Sequence, residues 1–384
     1  MHVLYLLTQD QGGLPHYTAA LANHIAPHHS VTVMKPKETS ADDMFSDEVQ
    51  TVSTFQSAEI SNANLAQGRL SIGTALKGLL SYNNMSEISE INPDLVHITT
   101  NLLPHIRWFL VANNIDSDYP IAVTFHNTDF YIFRRVEGSH TLTRVKNLLN
   151  FVSPTPSIDR FFVHRNENKD DLVDRGVSEH AINVIPHGTF SQFKEYNYEE
   201  KPLEKNTILT FGNIVPGKAV DVLVDAMNIV NDKIPGAKLI IAGEGKLPDK
   251  AEEVIDSHPE LFEVHNEYIP NNQVGELFSR AQTVVIPNRR QEGHSGTLTV
   301  AYSFGKPVVT TDVGAFPELV EEPNCGLTVA PDNPTALANA IIQMLSDEEM
   351  REKMARNASA MSDQLSWENI STRYIDIYSN ILSE

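Results

Sequence analysis

From Pro287 the chain runs Asn288-Arg289-Arg290-Gln291-Glu292-Gly293-His294-Ser295-Gly296-Thr297-Leu298, then a helical stretch to Phe304 and the run Gly305-Lys306-Pro307-Val308-Val309. A strand ends, a loop of small residues follows, and a helix begins at Ser295-Gly296-Thr297. The unpaired N–H groups of that turn and the positive end of the helix dipole suit a pyrophosphate, and Gly296 has no Cβ to hold the anion off. The plainer reading is an ordinary strand-to-helix turn. Gly12-Gly13 forms a second small-residue loop, between the apolar run Val3 to Leu7 and a helical face of Tyr17, Ala20, Leu21 and Ile25; a lone glycine pair is more often just a tight turn. Asp116-Ser117-Asp118 has the spacing of a divalent-metal ligand pair. It precedes Tyr119-Pro120 and an apolar run, so a solvated turn is the better reading and no metal site is expected. His126 follows the apolar run Ile121 to Phe125, where a histidine is as a rule a satisfied core or rim residue.

These residues need a scaffold. A chain of 384 residues exceeds one ordinary core, so two α/β domains are expected. In the first half, short strand candidates at Val3 to Leu7, Val31 to Met34, Leu95 to Thr99, Ile121 to Phe125, Arg160 to His164 and Ile182 to Ile185 are separated by stretches long enough for helical crossovers, which favours a parallel sheet. A polar, charge-rich stretch then interrupts the pattern as a linker would. The pattern restarts at Thr207 to Phe211, with a helical face of Leu223, Ala226, Met227 and Val230, a strand Leu239 to Ala242 ending in Gly243-Glu244-Gly245, and a strand Val284 to Ile286. The expected divisions are a first Rossmann-like domain over 1–190, a linker over 191–206, a second Rossmann-like domain over 207–364, and a last helix over 365–384 that packs back on the first domain.

With 41% hydrophobic and 21% charged residues, both domains can fill a core. A formal net charge of −21 repels phosphate backbones and excludes nucleic acid as an expected partner. One cysteine, Cys325, permits no internal disulfide, and no Cys or His cluster has zinc spacing. The start of the chain lacks the basic opening of a signal peptide, and no run is long enough to span a bilayer; a cytoplasmic protein is expected. Against the acidic average, Arg134, Arg135, Arg144, Lys146, Arg160 and Arg165 form a basic stretch. It is either a solvated face or a peripheral contact with a lipid-linked diphosphate or the anionic inner face of the cell membrane.

The segment from Glu292 through PVVTTDVGAFPELV resembles the donor-site signature of retaining GT-B glycosyltransferases of family 4, in which an E-x7-E pattern precedes a GKPVV strand. The resemblance covers nearly the whole chain, is strongest from about Phe211 to Pro331, and implies two Rossmann-like domains facing across a cleft. It implies that Glu292 contacts hydroxyls of the donor sugar. Val300 stands where the second Glu, the usual ribose clamp, is expected. The loop Phe211-Gly212-Asn213-Ile214-Val215-Pro216-Gly217-Lys218 resembles the family's FGR-x4-KG loop, so Lys218 is expected to neutralise the leaving diphosphate. Asn213 replaces the usual Arg, with Arg289 or Arg290 as candidate substitutes. Gly12 and Gly13 match the family's N-terminal glycine loop, whose backbone approaches the donor phosphate, and His126 matches a T-x-H histidine that faces the reacting sugar. The implied catalytic set is therefore His126, Lys218 and Glu292. The implied donor-binding set is Gly12, Gly13, Gly212, Asn213, Lys218, Ser295, Gly296 and Thr297. Ser295-Gly296 and AYSFGKPVV are similar to a branch that builds bacterial surface polysaccharides. The implied activity is metal-independent, retaining hexosyl transfer from a UDP-, GDP- or ADP-sugar to a glycan or polyprenyl-diphosphate-linked acceptor, with no cofactor. A GT-B epimerase or phosphorylase ranks below it. The reading from another class is a non-catalytic binding or regulatory partner, motivated by Val300 and Asn213.

Overall fold

The computed structural model describes residues 1–56, 72–100, 102–127, 154–196, 198, 201–290 and 294–384. The chain divides into two compact units, Met1–Gly188 with Trp367–Glu384, and Thr189–Ser366.

The first unit carries a parallel sheet of β1 (His2–Leu6), β2 (Ser30–Pro36), β3 (Gln50–Phe55), β4 (Leu95–Ile98), β5 (Ile121–Phe125), β6 (Arg160–Val163) and β7 (Ile182–Val184), in the order β3-β2-β1-β4-β5-β6-β7. Its helices include α1 (Gly13–Ile25), α2 (Ile72–Ser81), α3 (Pro104–Ala112) and α4 (Asn166–Asp174). The central strands are continuous apolar runs because a parallel sheet is covered on both faces; every residue of β5 is buried. The last helix of the chain, Trp367–Ile381, belongs to this unit and packs on α1 through Trp367, Ile370, Tyr374 and Tyr378. Trp367 lies so close over Gly188 that a Cβ there would meet its indole at 2.4 Å, so only glycine fits beneath the ring.

Under this helix the core is polar but paired. Tyr17 and Tyr374 hydroxyls are 2.6 Å apart, Tyr378 Oη is 2.5 Å from His97 Nδ1, and His97 Nε2 is 2.8 Å from Thr124 Oγ1. Each such group would cost about 1–3 kcal/mol if buried without its partner, so the network fixes the register of the last helix on the sheet.

The second unit repeats the plan with β8 (Thr207–Phe211), β9 (Lys238–Ala242), β10 (Phe262–His265), β11 (Thr283–Ile286), β12 (Val308–Thr311) and β13 (Gly326–Val329), in the order β10-β9-β8-β11-β12-β13, all parallel. Its helices are α5 (Val220–Lys233), α6 (Asp249–Ser257), α7 (Asn271–Arg280), α8 (Gly296–Ser303), α9 (Pro334–Ser346) and α10 (Glu348–Gln364).

The stretch 191–206, expected as a linker, differs from that expectation where it is described. Phe190 and Phe193 are buried in the core of the second unit, and the Tyr198 ring fills the space beside Gly275, where a Cβ would meet it at 2.2 Å. Aromatics spaced through a charged segment pin it to the unit that follows.

Candidate active site

In both sheets the chain order reverses beside the first strand, at β1/β4 and at β8/β11. Loops leaving the C-terminal ends of such a strand pair run to opposite faces and leave a crevice. Gly12 and Gly13 follow β1 at the first of these places, and Gly212, Asn213, Lys218, Ser295, Gly296 and Thr297 lie in the loops after β8 and β11 at the second; His126 follows β5, the strand beside β4.

In the second unit, β8 ends at Phe211 and Gly212 turns with φ 107, a left-handed conformation that favours glycine. The chain then runs alongside the loop after β9, with Gly212 N–H donating to Ala242 O at 2.9 Å and Ile214 N–H to Glu244 O at 2.8 Å. This pairing needs bare backbone. A Cβ on Gly243 would lie 2.1 Å from Gly212 O, and one on Gly245 2.0 Å from Ile214 O. Gly243→Ala is accordingly expected to cost about 3 kcal/mol or more in denaturant unfolding, at the upper end for overpacking because backbone, not a rotatable side chain, is in the way. A loss under about 1 kcal/mol would show that the two loops separate freely.

The supported loop ends in a short turn, Pro216–Lys218, followed by the buried Ala219 in the left-handed region at φ 49, where α5 starts. The turn presents Lys218 to a concavity also lined by Gly212, Asn213, Pro287 and Asn288. The Lys218 ammonium is partly buried, and desolvation pushes its pKa down. Among the described residues it has no ion-pair or hydrogen-bond partner.

Arg289 is not the cation that Asn213 lacks. Its guanidinium is bidentate with Asp221, at 2.6 and 3.1 Å, its Nε is 2.6 Å from Asp332, and its Nη1 donates to Pro216 O at 2.6 Å. Two carboxylates neutralise it, and its work is to hold the turn that carries Lys218. Arg290 is exposed.

Across the same strand pair, Thr297 Oγ1 donates to Phe211 O at 3.0 Å, tying the start of α8 to the end of β8. Ser295 caps α8, its hydroxyl accepting from Leu298 N–H. The cap satisfies the third amide of the helix and leaves those of Gly296 and Thr297 without intrahelical acceptors, as helix geometry requires. A lysine without a counter-ion among the described residues and two amides without intrahelical acceptors thus adjoin one strand end, an arrangement that suits an anion by charge and by hydrogen bonding. Val300 is 3% exposed and packs in the core behind α8. A carboxylate there would sit among apolar side chains, so valine at this position is a packing residue of this unit.

In the first unit, Gly12 precedes α1 with φ 85, and its carbonyl accepts from His16 Nδ1 at 2.7 Å. His126 follows β5, edge-on to Tyr17 with ring centroids 4.6 Å apart. Both its nitrogens have a polar atom within reach: Nε2 is 3.1 Å from Thr99 O and Nδ1 is 3.0 Å from His164 Nε2. His164, at the end of β6, and His187, after β7, complete a cluster whose ring centroids lie 4.8 to 6.0 Å apart. Burial pushes His164 down to about 4 and His187 to about 3, and His126 falls well below its ordinary value for the same cause. All three rings are neutral at pH 7. His164 was not singled out from the sequence, where only its place at a strand end marked it.

Glu292 lies outside the described residues, as do Arg134, Arg135, Arg144 and Lys146. Of the rest of the basic stretch, Arg160 is paired with Glu384 and Arg165 with Glu167. Asp116 and Asp118 fall in a short helical turn, Ile115–Asp118, where Asp116 accepts from Ser157 N–H. Among the described residues no three His, Cys, Asp or Glu side chains gather as metal ligands do, and no helix is long and apolar enough to cross a membrane.

Two Rossmann-like units in one chain, each with its loops opened at the strand reversal, make the GT-B class of fold. Solved structures agree. Sucrose-phosphate synthase of Thermosynechococcus elongatus superposes with TM-score 0.73 at 18% identity over 100% of both chains. HepE of Anabaena, solved in complex with UDP and glucose, gives TM-score 0.70 at 17% identity over 99% of this chain and 100% of that one. The family models "Glycosyltransferase Family 4" and "Glycosyl transferases group 1" match residues 11–190 and 192–361. The chain belongs to the family 4, group 1 glycosyltransferases. Among curated relatives, two uncharacterized glycosyltransferases of Methanocaldococcus jannaschii are 29% identical over 253 residues and 28% identical over 180. The matches cover 65% and 46% of this chain, and span 65% and 45% of those relatives.

Proposed function

We propose that the protein transfers a glycosyl group from a nucleoside-diphosphate sugar to a glycan or polyprenyl-diphosphate-linked acceptor, with retention at the anomeric carbon. The observation that carries the reading is the Lys218 ammonium, partly desolvated and without a counter-ion among the described residues, beside the same strand end as the open amides of Gly296 and Thr297. Folding stability does not account for such a lysine, and an arriving diphosphate does. As the glycosidic bond breaks, negative charge grows on the leaving oxygen, and donors already fixed in place stabilise it without reorganisation. Glu292 orients the sugar in this reading, and His126 contacts it. The side chains present supply the charge that a metal would otherwise bring.

Calorimetric titration with UDP and with GDP tests this. Binding of one nucleotide by the wild-type protein, lost in Lys218→Ala, is the expected result and names the donor class. Folded protein that binds neither would favour the non-catalytic partner, the reading that Asn213 and the core packing of Val300 motivate.

A further inference from the structure

Two histidines and two backbone carbonyls form one line in the first unit: Thr99 O to His126 Nε2 at 3.1 Å, His126 Nδ1 to His164 Nε2 at 3.0 Å, and His164 Nδ1 to Ile185 O at 2.9 Å. A carbonyl oxygen only accepts, so both ends of the line call for an N–H. All three contacts together need three ring protons, whereas two neutral imidazoles bring two. In the neutral pair one contact therefore sets lone pair against lone pair.

Burial decides which. His164 is 5% exposed, and taking the proton from either of its contacts would strand an acceptor away from water. His126 is partly exposed, and its contact with Thr99 O is the longest of the three. At that end a water or a ligand hydroxyl can serve both atoms. The protons then sit on His164 Nδ1, facing Ile185 O, and on His126 Nδ1, facing His164 Nε2, and His126 Nε2 is bare.

We propose that His164 is a positioning residue that fixes His126 in the Nδ1–H tautomer. His126 then offers Nε2 as acceptor to a hydroxyl of the bound sugar, and a third proton on the pair closes that acceptor by locking Nε2–H onto Thr99 O. The inference rests on the reading of His126 as a sugar contact and extends it. The groups facing the pair are His187 from the loop after β7, whose Nδ1–H donates to Gly188 O, Tyr17 from α1 with its partner Tyr374 from the last helix, and His97 from β4. Arg165, next after His164, is neutralised by Glu167. None of the facing groups is an anion at neutral pH, so nothing among them draws the third proton in until the solution is acidic. The low pKa of both rings agrees with this.

Ring 15N spectra of histidine-labelled full-length protein at pH 7.5 test the tautomer without reference to activity. His126 should show a protonated Nδ1 and a bare Nε2. His164→Leu removes the acceptor and should turn His126 toward the Nε2–H form, with kcat/KM for transfer falling about tenfold. His164→Gln carries an amide N–H and a carbonyl in place of the two ring nitrogens. It should keep the wild-type tautomer and rate at pH 7.5 while shifting the acid limb of the pH profile. An Nε2–H signal for His126 in the wild-type protein, or no change of tautomer in His164→Leu, would overturn the proposal; should that variant not fold, the wild-type and His164→Gln spectra still decide. If the tautomer is as stated but His126→Ala transfers sugar at the full rate, the pairing stands and the assignment of His126 to the sugar fails.

Discussion

Lys218→Ala is expected to lower kcat/KM for glycosyl transfer by roughly 10²- to 10³-fold, the loss typical for removing one fixed donor from a site where charge develops. Its melting temperature should stay level or rise slightly. The ammonium is partly buried and has no counter-ion among the described residues, so folding bears its desolvation without return from them, and truncation relieves that cost. Opposite signs for activity and stability mark a residue kept for chemistry. Lys218→Arg, which keeps the charge on a longer and planar head, should recover part of the rate. Steady-state kinetics and calorimetry on the same preparations check both halves. A kcat/KM within about threefold of wild type would remove Lys218 from the mechanism.

The second large effect is on pH. His97, His164 and His187 are buried, with pKa values pushed down to about 3, 4 and 3 by loss of solvent. In the unfolded chain each titrates near the ordinary 6.5. Above that value both states are neutral and the residues do not affect stability. Below it the unfolded chain takes up protons that the folded unit refuses, so stability falls with pH until the folded values are reached. Each residue contributes roughly 1.4 kcal/mol per pH unit over that window, or about 4 kcal/mol per unit for the three together. An ordinary domain stability of about 5–15 kcal/mol is then exhausted some two to three units below 6.5. Both tryptophans, Trp108 and Trp367, lie in the first unit, so tryptophan emission follows this unit alone. It should shift to the red between about pH 4.5 and 3.5. His187→Asn, which keeps a donor for Gly188 O but does not titrate, should move the midpoint to lower pH. Emission unchanged down to pH 3 would show that the buried rings accept protons at no cost to the fold.

Much of this protein was legible in its sequence, and the reasons are local. Strands such as β1, β5 and β11 are buried on both faces, so their apolar runs are continuous. The loops after β8 and β11 could be found because glycine and a capping serine mark a chain turning from strand to helix. Less visible were β3 and β10. Both are sheet edges with mixed burial, and segments such as Gln50-Thr51-Val52-Ser53 do not stand out from loop. The linker reading of 191–206 weighed its charges over its aromatics. Long-range pairings left no local trace at all. His126 meets His164 across 38 positions, and Arg289 meets Asp221 across 68, so nothing near Arg289 in the sequence told that its charge was already spent.

The first unit is written in two separate passages of the chain, with the whole of the second unit between them. Translation therefore delivers Tyr5, Tyr17 and His97 long before Trp367, Tyr374 and Tyr378, the residues that cover them. The second unit has no such wait, because all of its strands and helices lie between Thr189 and Ser366. Against the usual order for successive domains, the half of the protein made later can finish folding earlier. The half made first must hold an open, tyrosine-lined face until the ribosome has released the final helix.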